Sequence, residues 1–311
     1  MKESLDAAAT AALLPFPSLV AALRRAVEEL ARGVIACPAR QVQPLRGGAS
    51  LLSMVASAGD VAVHKLISVV PDNPGRGLPT IAGQLSVVDA VDGGIRLILD
   101  GATVTERRTA ALSMLGIETL LGRAPRRVLL IGTGAQALSH AKALAALYPS
   151  VSIDIAGRST ASVERFCMEL DALLPGANGP RHAAADAAAP DVAVDVVITA
   201  TTSSEPVYTL PAQAGRLLIA VGSFKPSAAE IGAQTVLASR VFVDDLHGAQ
   251  HEAGDLIQAG VDWTQVAGLS AAFGGPPLAA SGPVLLKTVG CAAWDLAAAR
   301  VALTLAAARL G

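Results

Sequence analysis

Arg127-Val128-Leu129-Leu130-Ile131-Gly132-Thr133-Gly134-Ala135-Gln136-Ala137 is the stretch that decides the fold. Val128 to Ile131 is an apolar run long enough for a buried strand and too short for a helix. The glycines follow at once, and from Ala135 to Leu147 the apolar residues recur at helical spacing. Strand, glycine turn and helix in that order form the G-x-G-x-x-A fingerprint of a dinucleotide fold. Gly132 allows the tight turn, Gly134 lets a pyrophosphate approach the backbone, and Ala137 permits close packing of helix on strand. A pyrophosphate then rests on free N–H groups at the positive end of the helix. Gly132, Thr133, Gly134, Ala135, Gln136 and Ala137 are therefore the expected cofactor contacts.

Downstream, the pattern alternates strand and helix. Candidate strands fall at 128–131, 151–156, 194–200, 216–221 and 240–244, with a short one near 181–183. Such alternation predicts a parallel, doubly wound sheet of the Rossmann type, with right-handed crossovers, over residues 122–282. Upstream, residues 1–121 read as an α+β unit. Ser18 is the expected cap of a helix whose Leu19, Leu23, Val27 and Leu30 share one face, ending at Gly33. Strands are expected at Leu51–Ala56, Val61–Val69, Ile81–Val88 and Ile95–Leu99, and the Asp92-Gly93-Gly94 turn marks an antiparallel hairpin. Residues 101–121 return to helical spacing. Pro283 to Leu310, apolar but broken by Lys287, Asp295 and Arg300, reads as a largely buried closing helix rather than a membrane span.

Composition narrows the function classes. A formal net charge of -2 leaves no electrostatic footprint for nucleic acid or an anionic membrane. Cys37, Cys167 and Cys291 are far apart and odd in number, which argues against a disulfide framework or a zinc site and for a reducing, cytoplasmic setting. His247 and His251 have i,i+4 spacing without a completed metal motif, so no metal is expected. His64 is expected on the strand face opposite Lys65, His140 in the packing of its helix, and Asp244-Asp245 in turn capping.

The end of the second parallel strand discriminates between cofactors. Sheets that prefer NAD usually carry Asp or Glu there, to hold the ribose hydroxyls. Here the chain reads Ala156-Gly157-Arg158-Ser159-Thr160, with Asp154 already inside the strand. Arg158 flanked by the Ser159 and Thr160 hydroxyls suits a 2′-phosphate. NADP(H) is the preferred cofactor and NAD(H) a possible one.

Two further blocks carry a family resemblance. Asp100-Gly101-Ala102-Thr103-Val104-Thr105-Glu106-Arg107-Arg108-Thr109-Ala110-Ala111 resembles the D-G-x-x-[LI]-T-x-x-R-T-A-A signature of the ornithine cyclodeaminase/mu-crystallin family. Gly132 to Ala137 is similar to its G-T-G-A-Q-A. Val221-Gly222-Ser223-Phe224-Lys225-Pro226 with Glu230 is similar to its V-G-S-x-x-P-x-x-x-E. The resemblance implies a substrate carboxylate held by Arg40 and Arg108, a proton-handling Lys65 on the active-site strand and a substrate-side Thr80. It also implies cofactor contacts at Thr201, Val221 and Gly222, and a homodimer formed through the N-terminal domain, to which the final helix (283–311) returns. The residues agree in kind. Two guanidiniums can clamp a planar carboxylate, and a lysine in an apolar strand has its pKa lowered toward proton transfer.

One departure separates reactions within that family. Where the cyclodeaminases carry the aspartate of G-G-D-C-P, this chain has Phe224, which can neither take a proton nor pair with an ammonium. The remaining parts suit hydride delivery to a C=N carbon next to a carboxylate, with no acidic side chain expected between the basic grip and the cofactor. The implied substrate is a small cyclic imino acid, Δ1-pyrroline-2-carboxylate or Δ1-piperideine-2-carboxylate, reduced to L-proline or L-pipecolate. The alternatives are an ornithine or lysine cyclodeaminase, an amino acid dehydrogenase of the same fold, and a mu-crystallin-like NADPH- and ligand-binding protein.

Overall fold

The structure, a computed structural model, describes residues 4–174, 181–184, 186–187 and 193–309. The chain divides into two compact units. One comprises residues 1–111 and 291–311, the other residues 112–290, and the Gly101–Gly116 helix carries the chain from the first to the second.

In the first unit, period-two patterning produces a five-stranded antiparallel meander. It runs β1 (Gln41–Pro44), β2 (Ser50–Ser57), β3 (Val61–Val69), β4 (Ile81–Asp89) and β5 (Ile95–Asp100), in that spatial order. Its inner face buries Leu52, Met54, Val63, Ile67, Leu85 and Leu99. The Ala292–Ala308 helix lies against β2, β3 and the Phe16–Ala31 helix. Alanine at most of its buried positions lets that helix approach closely. The outer face keeps Val55, His64 and Leu66 exposed. Strand β1 was not expected; all its residues are exposed, so it has no apolar pattern to read.

Capping differs from the sequence reading. The long N-terminal helix starts at Phe16 with Pro15 as N-cap, and Ser18 lies inside its first turn. Pro17 at the second helical position has no N–H, which removes one of the donors a hydroxyl cap would serve.

Among the described residues of the second unit, eight strands form one sheet. They are β6 (Arg127–Ile131), β7 (Ser152–Ala156), β8 (Arg181–Ala184), β9 (Val196–Thr199), β10 (Leu217–Ala220), β11 (Arg240–Val243), β12 (Ala267–Gly268) and β13 (Val284–Lys287). The spatial order is β12-β11-β13-β10-β9-β6-β7-β8, and every pairing is parallel. The sequence reading anticipates six of these strands and takes Val284–Lys287 into the closing helix. That segment is instead inserted between β10 and β11, and the helix starts at Ala292. A three-residue apolar run between a proline and a lysine carries no periodicity that separates strand from helix. The order reverses at β6 and β9, so the crevice beyond their carboxyl ends is where such a sheet takes a ligand.

Candidate active site

Alternation along β3 places Lys65 on the inner face, 1% exposed, and His64 on the outer, where it is hydrogen-bonded to the Ser53 hydroxyl at 3.0 Å. Lys65 Nζ donates to Asp295 Oδ1 at 2.9 Å, with Oδ2 at 2.8 Å, and to Thr105 Oγ1 at 3.2 Å. The Thr105 hydroxyl proton is already engaged by the Gly101 carbonyl at 2.8 Å, so toward Lys65 this oxygen can only accept. Arg108, one helical turn on, brings Nε to 3.3 Å from Asp295 Oδ1. Lys65 is flanked in the sheet by apolar Met54 and Leu85.

Burial is the main force on Lys65 and brings its pKa down to about 8. The Asp295 carboxylate opposes that fall, while the Arg108 and Arg40 charges reinforce it. Arg40 is half-buried just ahead of β1, whereas Arg46 is exposed in a short 3-10 turn. Thr80 is half-buried in the loop before β4, and its carbonyl accepts from Val70 N–H. Asp295 was missed by sequence reasoning, which saw it only as a break in an apolar segment. It is an acidic side chain held against Lys65 and Arg108. Its one sequence signal was a carboxylate among residues otherwise fit for burial, which must find a cation.

The second unit builds the glycine turn. Gly132 has φ +129°, its N–H bonds to the Ala156 carbonyl at 2.8 Å, and a Cβ there would meet the Ala200 carbonyl oxygen at 2.4 Å. Only glycine fits. Gly134 is the N-cap of the Ala135–Leu147 helix, with no side chain capping the free N–H groups. A Cβ at Gly134 would meet no protein atom within 4 Å. Uncapped N–H groups opening onto free space fit the pyrophosphate of a dinucleotide. Thr133 and Gln136 are half-buried, Ala135 is exposed, and Ala137 is fully buried against the sheet. His140 is buried one turn on. It donates through Nδ1 to the Gln136 carbonyl at 2.7 Å and accepts through Nε2 from Ser113 at 2.8 Å. Burial lowers its pKa to about 4, so it stays neutral and structural.

Beyond β7, Arg158 and Thr160 are exposed. Ser159 is the N-cap of the Thr160–Leu173 helix, its hydroxyl accepting from Ser162 N–H at 3.3 Å. Asp154 is held by Arg127 at 2.8 Å and 3.2 Å, and Arg158 follows in the loop beyond Ala156.

A buried carboxylate that the sequence singled out only as part of a signature ties the central loops together. Glu230 accepts from Thr201 N–H at 2.7 Å and Thr201 Oγ1 at 2.9 Å, and from Gly222 N–H at 2.6 Å and Ser223 N–H at 3.2 Å. Gly222 is required here, since a Cβ would lie 2.1 Å from the Thr201 carbonyl oxygen and 2.6 Å from Glu230 Oε1. Asp255 in turn accepts from Glu230 and Ile231 N–H and pairs with buried Lys287 at 2.7 Å. Thr201, an expected cofactor contact, donates both its N–H and its hydroxyl to Glu230. Val221 is half-buried, its N–H donating to the Thr199 carbonyl, and Phe224 is half-buried in the same loop. Asp244 accepts from Val289 and Gly290 N–H, and Asp245 caps the Leu246–Glu252 helix. Among the described residues no group of three or more His, Cys, Asp or Glu could hold a metal ion, and no helix is long and apolar enough to cross a membrane.

The model of the ornithine cyclodeaminase/mu-crystallin family matches residues 5–302. The chain belongs to that family. It is 52% identical over 308 residues to the Delta(1)-pyrroline-2-carboxylate reductase 2 of Burkholderia ambifaria, covering 99% of this chain and 97% of the relative. It is 53% identical over 304 residues to the Delta(1)-pyrroline-2-carboxylate/Delta(1)-piperideine-2-carboxylate reductase of Azospirillum brasilense, covering 98% and 96%. Among solved structures, the Thermococcus litoralis Delta(1)-pyrroline-2-carboxylate reductase in complex with NADH and L-proline matches with a TM-score of 0.83 at 22% identity. The match covers 96% of this chain and 95% of that one.

Proposed function

We propose that this family member reduces a cyclic ketimine carboxylate, Δ1-pyrroline-2-carboxylate and/or Δ1-piperideine-2-carboxylate, to L-proline or L-pipecolate, with NADPH preferred over NADH. Relatives that share about half its residues over nearly their whole length are reductases of these imines, which supports the reading. The observation that carries it is the buried ammonium of Lys65 held against Asp295, with Arg108 on the same carboxylate.

Arg40 and Arg108 grip the substrate carboxylate, each charge-assisted hydrogen bond contributing about 1.5–3 kcal/mol. The nicotinamide, when bound, supplies a hydride to the imine carbon. Lys65 supplies or relays the proton for the ring nitrogen, which takes up the former C=N π pair and leaves a secondary amine. Thr80 lies on the substrate side. Phe224 offers an apolar ring where a cyclodeaminase needs an aspartate, so reduction is favoured over loss of ammonia. The glycine turn from Gly132 to Ala137 would hold the pyrophosphate, Arg158 the 2′-phosphate, and the Thr201, Val221 and Gly222 backbone the rest of the dinucleotide.

The same reading makes the protein a homodimer through the open face of the β1–β5 sheet, where Val55 and Leu66 are exposed together. It also places the protein in the cytoplasm, where the thiols of Cys37, Cys167 and Cys291 stay reduced. The test is oxidation of NADPH, run beside NADH, with both cyclic imines and with pyruvate plus ammonium, on wild type and Lys65→Met. Turnover of the cyclic imines that is lost in the variant is the expected result. Turnover retained in folded Lys65→Met removes Lys65 from the reaction, and activity only with ammonium moves the assignment to an amino acid dehydrogenase.

A further inference from the structure

Asp295 is 0% exposed and touches both Lys65 and Arg108, yet it stands on the closing helix, 230 residues from Lys65 in sequence. Lys65 is faced by Asp295 from that helix, by Arg108 and Thr105 from the Gly101–Gly116 helix, by the charge of Arg40 ahead of β1, and by apolar Met54 and Leu85 within the sheet. An ammonium has three N–H groups. Asp295 and Thr105 can only accept, so together they engage two and leave one directed away from both.

We infer that Asp295 is a positioning residue: it holds the Lys65 ammonium and the Arg108 guanidinium at once, and so fixes which Lys65 proton is offered to substrate and up to what pH it is kept. This rests on the proposed imine reduction. When Lys65 gives up its third proton, a lone pair takes that place, still aimed by the same two acceptors, and solvent restores the proton before the next turnover. No other bond changes at Lys65. Because Lys65 is lowered to about 8, it is protonated below that pH and neutral above it. The reduction rate should therefore fall as pH rises through about 8. Removing the Asp295 charge takes away the principal influence that keeps the proton on, and the limb should move to lower pH by about one unit or more.

The experiment measures two quantities in wild type, Asp295→Asn and Asp295→Glu: the pH profile of kcat for cyclic imine reduction, and the titration of the Lys65 side chain by NMR of the 13Cε carbon. With five lysines in the chain, comparison with Lys65→Met identifies the signal. Expected are a downward shift of both midpoints in Asp295→Asn with a raised KM for the imine, and midpoints within about half a unit of wild type in Asp295→Glu, which keeps the charge. A rate lowered equally at every pH with the midpoint unmoved would reduce Asp295 to a structural ion pair. If Asp295→Asn does not fold, the Glu variant decides, and a midpoint falling by about a unit despite the retained charge overturns the assignment. The NMR titration needs no turnover. Should wild type reduce no cyclic imine, the reaction falls while the role of Asp295 is still decided.

Discussion

Replacing Glu230 by Gln tests the polar clamp of the second unit. The side chain is fully buried, and its two oxygens accept four hydrogen bonds, from Thr201 N–H and Oγ1 on one side and from Gly222 and Ser223 N–H on the other. An amide must turn its NH2 toward one of those sides. The less costly orientation faces Thr201, whose hydroxyl can rotate to accept, leaving one main-chain N–H without an acceptor. A buried donor left so costs about 1–3 kcal/mol. The two bonds that survive lose their charge assistance, about 1 kcal/mol each. The expected loss is about 3–5 kcal/mol, with no discount for solvent, since none reaches the group. Guanidinium chloride unfolding of the ligand-free protein measures it, as a lower midpoint at constant slope. Dinucleotide affinity should fall as well, because the Thr201 and Gly222 loops are no longer tied to each other. A stability loss below about 1 kcal/mol would refute the clamp as the device that holds these loops.

The two glycines of the turn should separate stability from binding. Gly132→Ala, with φ +129° and the Ala200 carbonyl in the way, should destabilise by about 2 kcal/mol or more, whereas Gly134→Ala should change thermal unfolding little yet weaken dinucleotide binding; equal effects on both readouts would contradict the assignment. Arg158→Ala should raise KM for NADPH about tenfold, the lower end for a charge-assisted bond at an exposed site, and leave KM for NADH unchanged. Equal losses with both cofactors would take the 2′-phosphate away from Arg158.

Much of this protein was legible from local pattern. The strand–glycine–helix order at Arg127–Ala137 needs only neighbours in sequence, because a tight turn and a helix end are short-range structures. The alternation that buries Lys65 and exposes His64 follows from the two-residue period of a strand. What the sequence could not tell were the pairings that close over long loops. Val284–Lys287 has the composition of either element, and only the gap between β10 and β11 makes it a strand. Asp295 alone looks like a polar interruption, and Glu230, Asp255 and Lys287 are scattered over a loop, a helix and a strand. Their partners were decided by tertiary structure, since a buried charge cannot be left unpaired and the cation or N–H that satisfies it is supplied by whichever distant segment the fold brings within 3 Å.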